Sequence, residues 1–115
     1  MTVVPFRQRI RVYLAGPMRG RVRYNFDAFA EAAAELRELG YEVVSPAEHD
    51  LEQGFNIRQV LAWDLEQVIG ADAVVTLPGW AHSLGALAEV ATARAVGIPV
   101  LELAEILEHE AAVAA

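Results

Sequence analysis

Two carboxylates are the residues most able to do chemistry in this chain. Asp64 falls seven residues after Ile57 and four before Val68, on a helical face otherwise marked by Val60, Leu61 and Leu65, so its side chain turns toward the interior. A carboxylate there must be paired, protonated or facing a cavity. It is either a boundary position bridged to an arginine or a pocket acid whose pKa is raised by burial, the usual device for a proton donor at neutral pH. Glu89 ends the run Gly79-Trp80-Ala81-His82-Ser83-Leu84-Gly85-Ala86-Leu87-Ala88-Glu89. Ser83 is a natural N-cap, and the small Gly85 and Ala86 leave the helix start open to an anion drawn by free backbone N–H groups. A lone glutamate about a turn and a half into a helix is ordinarily a solvated surface charge. Taken with Asp64, it supplies the second carboxyl that glycosidic chemistry requires.

A third feature is the turn Gly16-Pro17-Met18-Arg19-Gly20. Its glycines permit backbone approach to a phosphate, and Arg19 offers the counter-charge. The turn is neither a P-loop nor a dinucleotide fingerprint, so ATP hydrolysis and hydride transfer lose their usual warrant. His49, His82 and His109 form no metal-ligand spacing, and no metal is expected. Trp63 reads as a core or interface residue and Trp80 as a pocket wall able to stack on a nucleobase.

These residues need elements to position them. Ile10–Ala15 alternates as a strand and stops at Gly16-Pro17. Asn25 reads as an N-cap, and Phe26, Phe29, Ala30, Ala33 and Leu36 recur at helical spacing until Gly40. Tyr41–Ser45 is a second strand, followed by an acidic loop from Ala47 to Gly54. Ile57, Val60, Leu61, Leu65, Val68 and Ile69 mark one face of a second helix. Asp72–Leu77 is a third strand, Ser83 to Val96 a third helix, Ile98–Leu103 a fourth strand, and the alanine-rich tail a last helix. This alternation predicts one α/β domain over residues 1–115, with a parallel sheet of four or five strands and helices on both faces. Ligands bind such sheets at the carboxyl ends of the strands, which gathers Tyr13–Arg19, Ser45–Asp50 and Leu77–Ser83 around one crevice.

The 115 residues are 55% hydrophobic and 22% charged, with a formal net charge of −7, which predicts a compact core and excludes a nucleic acid polymer as partner. The hydrophobic content is high enough to reserve apolar surface for a second copy. No apolar run approaches a bilayer span, the opening Met1–Pro5 is too short for a signal peptide, and there is no cysteine. Those observations exclude a membrane role and predict a cytoplasmic location. Lysine is also absent, and Arg7, Arg9, Arg11, Arg19, Arg21 and Arg23 supply six of the nine basic residues. They form either a solvated N-terminal segment or, at Arg19 to Arg23, a bed for phosphate or carboxylate.

Tyr13–Gly20, the Asp64 helix with Ala71-Asp72-Ala73-Val74-Val75, and Ser83–Glu89 together resemble the nucleoside 2-deoxyribosyltransferase superfamily, which includes the 2′-deoxynucleoside 5′-monophosphate N-hydrolases. The resemblance runs from Arg11 to about Leu101. Asn25–Phe29 and Leu77–Trp80 look closest to an uncharacterised, often phage-encoded branch.

The resemblance implies a flavodoxin-like fold, a homodimer or larger assembly, no cofactor, and cleavage or exchange of the N-glycosidic bond of a nucleoside or its 5′-monophosphate. Glu89 would attack C1′ to form a glycosyl ester, Tyr13 would orient that carboxylate, and Asp64 would serve the sugar hydroxyl or the departing base. Gly16, Met18, Arg19, Gly20 and Ser83 match positions that hold a 5′-phosphate, and Asn25, Trp80 and Gly85 join them as substrate contacts. Pro17 stands where the phosphate-binding hydrolases carry a serine, which removes a hydroxyl and a backbone N–H. No serine or asparagine follows Ser83 to complete a neighbouring subunit's site. The alternative is a nucleotide-binding sensor without turnover. A receiver-like signalling module shares the alternation but needs a lysine that this chain lacks.

Overall fold

The structure is a computed structural model that describes residues 9–49 and 56–115. The Met1–Pro5 opening, Arg7 and residues 50–54 of the acidic loop lie outside the described residues. Strands β1 (Arg11–Ala15), β2 (Glu42–Val44), β3 (Ala73–Thr76) and β4 (Val100–Glu102) alternate with helices α1 (Phe26–Glu38), α2 (Ile57–Ile69), α3 (Leu84–Ala95) and α4 (Leu103–Ala114). The strands form one parallel sheet in the order β2-β1-β3-β4. That order reverses direction between β1 and β3, the switch point of a flavodoxin-like sheet.

Side-chain alternation along β1 sorts the core into two layers. Val12 and Leu14 turn to one face, where with Val75 and Leu77 they meet Phe29, Ala32, Ala33 and Leu36 of α1 and Ile106 of α4. Tyr13 and Ala15 turn to the other, where with Val74 they meet Val68 of α2 and Ala86, Val90 and Ala93 of α3. Helices therefore cover both faces, as the strand–helix alternation predicts.

Local chemistry sets the element ends. Ser83 Oγ accepts the Ala86 N–H at 3.3 Å and caps α3. Asn56 accepts from the N–H groups of Arg58 and Gln59 and caps α2, a cap that the apolar pattern of that helix left unmarked. Arg37 of α1 makes a two-pronged ion pair with Glu48 at 2.8 and 2.7 Å and donates to the Val43 carbonyl at 3.0 Å. This fastens the segment after β2, with its buried Ser45 and Pro46, against α1.

Three expectations need correction. Asn25 precedes α1 but does not cap it through its side chain, because its backbone is left-handed (φ 63°) and not in the extended region a capping side chain needs. Ile57 and Ile69 are 45% and 58% exposed; only Asp64 and Val68 of α2 are buried, because the first turns of the helix overhang a cavity while its end reaches solvent. The fourth strand is also shorter than its apolar run, since Glu102 and Glu105 form a reciprocal capping box that starts α4 at Leu103.

Candidate active site

At the carboxyl ends of β1 and β3 lies a cavity of about 550 Å³. Its floor holds Asp64 from α2 and Glu89 from α3, and its rim carries Gly16, Pro17, Met18 and Arg19 from the turn after β1. Ser83, Gly85 and Ala86 at the start of α3 form one wall; Pro46, Ile57, Val60 and Leu61 form another.

Glu89 is 4% exposed, which removes the solvated-surface reading. The Tyr13 hydroxyl donates to Glu89 Oε2 at 2.8 Å, entirely within the protein interior. Tyr13 can do this because it alternates with Leu14 and so points beneath α3 and not toward α1. Asp64 is 6% exposed, and its Oδ1 has no hydrogen-bond partner. A buried carboxyl oxygen without a partner at a cavity wall can accept from a donor on a ligand.

Burial dominates the electrostatics of this cluster. It pushes Glu89 up to about 8, and the neighbouring Asp64 charge adds to the rise while the Tyr13 hydrogen bond opposes it. It pushes Asp64 up to about 6, against the lowering effects of Glu89, His49 and Tyr13. Burial and the two nearby carboxylates drive the Tyr13 phenol well above its ordinary range, so it remains a donor. The two carboxyls interact closely enough to titrate as a pair, with one proton held between them near neutrality.

Gly16 answers to packing as much as to any ligand. A Cβ there would lie 2.9 Å from Leu77 Cβ, so only glycine lets β1 end beside β3. Gly85 is different, for a Cβ there would meet nothing nearer than Ser83 Oγ at 4.0 Å, and its bareness keeps cavity space open. Gly20 and Asn25 do not line the cavity. Trp80 does not line it either: it packs against the α2/α3 layer and borders a second hollow with Leu103 and Leu107.

Sequence reading passed over Tyr24 and Leu84; Arg21, Pro46 and His82 also line the cavity, in keeping with the arginine run and the crevice segments to which they belong. Tyr24 reaches the cavity through an uncommon backbone, with Arg23, Tyr24 and Asn25 all left-handed at φ 51°, 52° and 63°. Left-handed non-glycine residues cost energy, and such strain concentrates at functional sites. No spacing rule announces such a run.

An open parallel sheet whose switch point carries a cavity over a buried Tyr–Glu–Asp cluster defines a flavodoxin-like α/β protein with a cavity of small-molecule size. The chain belongs to the family described as domain of unknown function DUF4406, whose model matches residues 10–102. Its fold is similar to that of a 2-deoxyribosyltransferase from the psychrotolerant bacterium Bacillus psychrosaccharolyticus, at a TM-score of 0.63 and 26% identity over 80% of this chain and 70% of that one. A conserved protein from Enterococcus faecalis V583 shares the fold at a TM-score of 0.64 and 24% identity, over 83% of this chain and 63% of that chain. The expected kinship with the deoxyribosyltransferases is therefore borne out in fold. No curated protein matches the chain.

Proposed function

We propose that the protein cleaves or exchanges the N-glycosidic bond of a nucleoside or its 5′-monophosphate through a glycosyl ester on Glu89. The observation that carries this reading is the buried Tyr13–Glu89 hydrogen bond beside the partnerless Asp64 oxygen at the cavity floor. Two carboxyls in contrasting environments are what a retaining glycosidic mechanism uses. Similarity to a 2-deoxyribosyltransferase adds support from outside the site.

The pair's single proton organises the reaction. Transfer of that proton from Glu89 through Asp64 to the departing base leaves Glu89 ionised, and a Glu89 oxygen then attacks C1′ as the base departs with the bond pair. Tyr13 fixes one Glu89 oxygen and directs the other. Attack by water on the ester gives hydrolysis, and attack by a second base gives transfer. The start of α3 and Arg19 flank the cavity where a 5′-substituent would lie. The same reading carries the expectation of a homo-oligomer, for which Val22 and Leu84, 87% and 86% exposed beside the site, offer apolar surface.

The test incubates the protein with each deoxynucleoside and deoxynucleoside 5′-monophosphate and follows free base by chromatography. Base release is expected, with E89Q slower by about a thousandfold or more. Binding without release of base would return the site to a nucleotide sensor, and an E89Q variant as active as the parent would remove Glu89 from the chemistry.

A further inference from the structure

We propose that Arg21, seated over the bare backbone of Gly79, is the specificity-determining residue that makes the site prefer a substrate carrying a 5′-phosphate. Arg21 lines the cavity from the segment after β1. Its main chain is tied on both sides, since its N–H donates to the Met18 carbonyl at 3.3 Å and its carbonyl accepts the Tyr24 N–H at 3.1 Å. The turn after β3 supplies the seat. Gly79 has φ 86°, and a Cβ there would stand 2.6 Å from Arg21 Nη2 and 3.4 Å from Pro17 Cγ. Glycine thus serves twice, taking a backbone that other residues rarely adopt and clearing the space that the guanidinium occupies. Arg21 thereby joins the turns after β1 and β3, the two strand ends between which the cavity opens.

The neighbouring arginines are already committed. Arg23 faces Asp27 at 3.7 Å and does not line the cavity, and Arg19 interacts within the chain. Among the described residues, no hydrogen bond or ion pair occupies the Arg21 guanidinium. Pro17 has no N–H to offer an anion held by the glycine turn. The paired N–H donors of a guanidinium suit phosphate oxygens and supply at the rim what that position lacks. The carboxyl pair at the cavity floor keeps one negative charge near neutrality and repels an anion brought close to it. The 5′ carbon is attached across the furanose ring from C1′, so a phosphate on it is recognised at the rim while C1′ meets Glu89. That placement rests on the function proposed above; recognition of phosphate by Arg21 does not.

The experiment compares deoxynucleosides with their 5′-monophosphates, by base release in the parent and by calorimetric binding in E89Q, each with and without R21Q. The parent is expected to prefer the monophosphates, and R21Q to lower that preference about 10- to 100-fold, read as the ratio of kcat/KM or of Kd. R21K keeps the charge without the fork and recovers part of the preference. G79A keeps the guanidinium and displaces it, so the preference falls there too, and thermal melts report separately the strain of its positive φ. A merely structural role for Arg21 would weaken both substrates alike. An unmoved ratio in R21Q, or a parent that treats nucleoside and monophosphate equally, overturns the proposal, and base release in either case leaves the glycosidic reading standing. Arg21-dependent binding of monophosphates without release of any base would uphold Arg21 and reject the glycosidic reading.

Discussion

The two faces of the sheet are built from alternate residues of the same strands and have opposite characters. Under α1 and α4, Leu14, Val75, Phe29 and Leu36 are wholly buried in an apolar layer that, among the described residues, buries no carboxylate. Under α2 and α3, the same depth of burial holds Tyr13, Asp64 and Glu89 among Val68, Val74 and Val90. Leu14 and Tyr13 are neighbours in β1, so one step along the strand separates a closed core from a reactive one. The first layer supplies stability; the second keeps charges in an environment that penalises them. The chain confines that penalty to the face that opens on the cavity.

The largest test of this division lies in the closed layer. Phe29→Ala removes a fully buried ring from α1 and is expected to cost about 3–5 kcal/mol of stability. Base release per folded molecule should stay within about twofold of the parent, because Phe29 touches the layer opposite the carboxyls. Denaturant unfolding and turnover measured on the same samples decide it. A changed pH profile in the variant would show that the two layers are not independent.

The reactive layer should respond in the other direction. Glu89 is held at about 8 in the folded protein, above the usual carboxylate range near 4.3. A raised acid binds its proton more tightly folded than unfolded, so its contribution to stability is greatest at low pH. That contribution falls as pH rises from the unfolded value to about 8. Glu89→Gln cannot ionise and can still accept the Tyr13 hydrogen bond. It is expected to be more stable than the parent at pH 8, by on the order of 2 kcal/mol, and to lack the decline between pH 5 and 8. Thermal melts across that range check it; parallel curves for the two proteins would mean that Glu89 is not the buried, protonated group.

How much of this was legible in the sequence follows the same division. The closed layer was readable, since Phe29, Ala33 and Leu36 recur at helical spacing and β1 and β3 are dense apolar runs bounded by breakers. Asp64 was readable as a carboxylate on an apolar face. Glu89 was not readable by pattern alone, because its burial depends on α3 lying against β1 through Tyr13, a contact across 76 positions of chain. Asn25 misled because its left-handed backbone belongs to the three-residue run from Arg23, which no local preference favours. Ile57 and Leu61 satisfied the apolar period of α2 yet line a cavity, and periodicity does not tell a core contact from a pocket wall. The His49–Trp63 stack joins two elements and had no local sign either.

The smallest expected effect bears most closely on the site. Gly85 sits in the first turn of α3, where a Cβ would clash with nothing. Gly85→Ala should therefore fold at least as well as the parent and gain up to about 1 kcal/mol from helix propensity. The added methyl nevertheless projects beside Ser83, at a wall of the cavity that holds Asp64 and Glu89. If the substrate closes against the α3 start, KM rises about tenfold, equal to roughly 1.4 kcal/mol of lost binding, while kcat changes little because Glu89 and Tyr13 keep their contact. An unchanged KM would move the ligand away from the helix start and toward the Ile57 and Leu61 wall. A stabilising substitution that weakens binding would locate, on one glycine, the boundary between the part of the reactive layer that packs and the part kept empty.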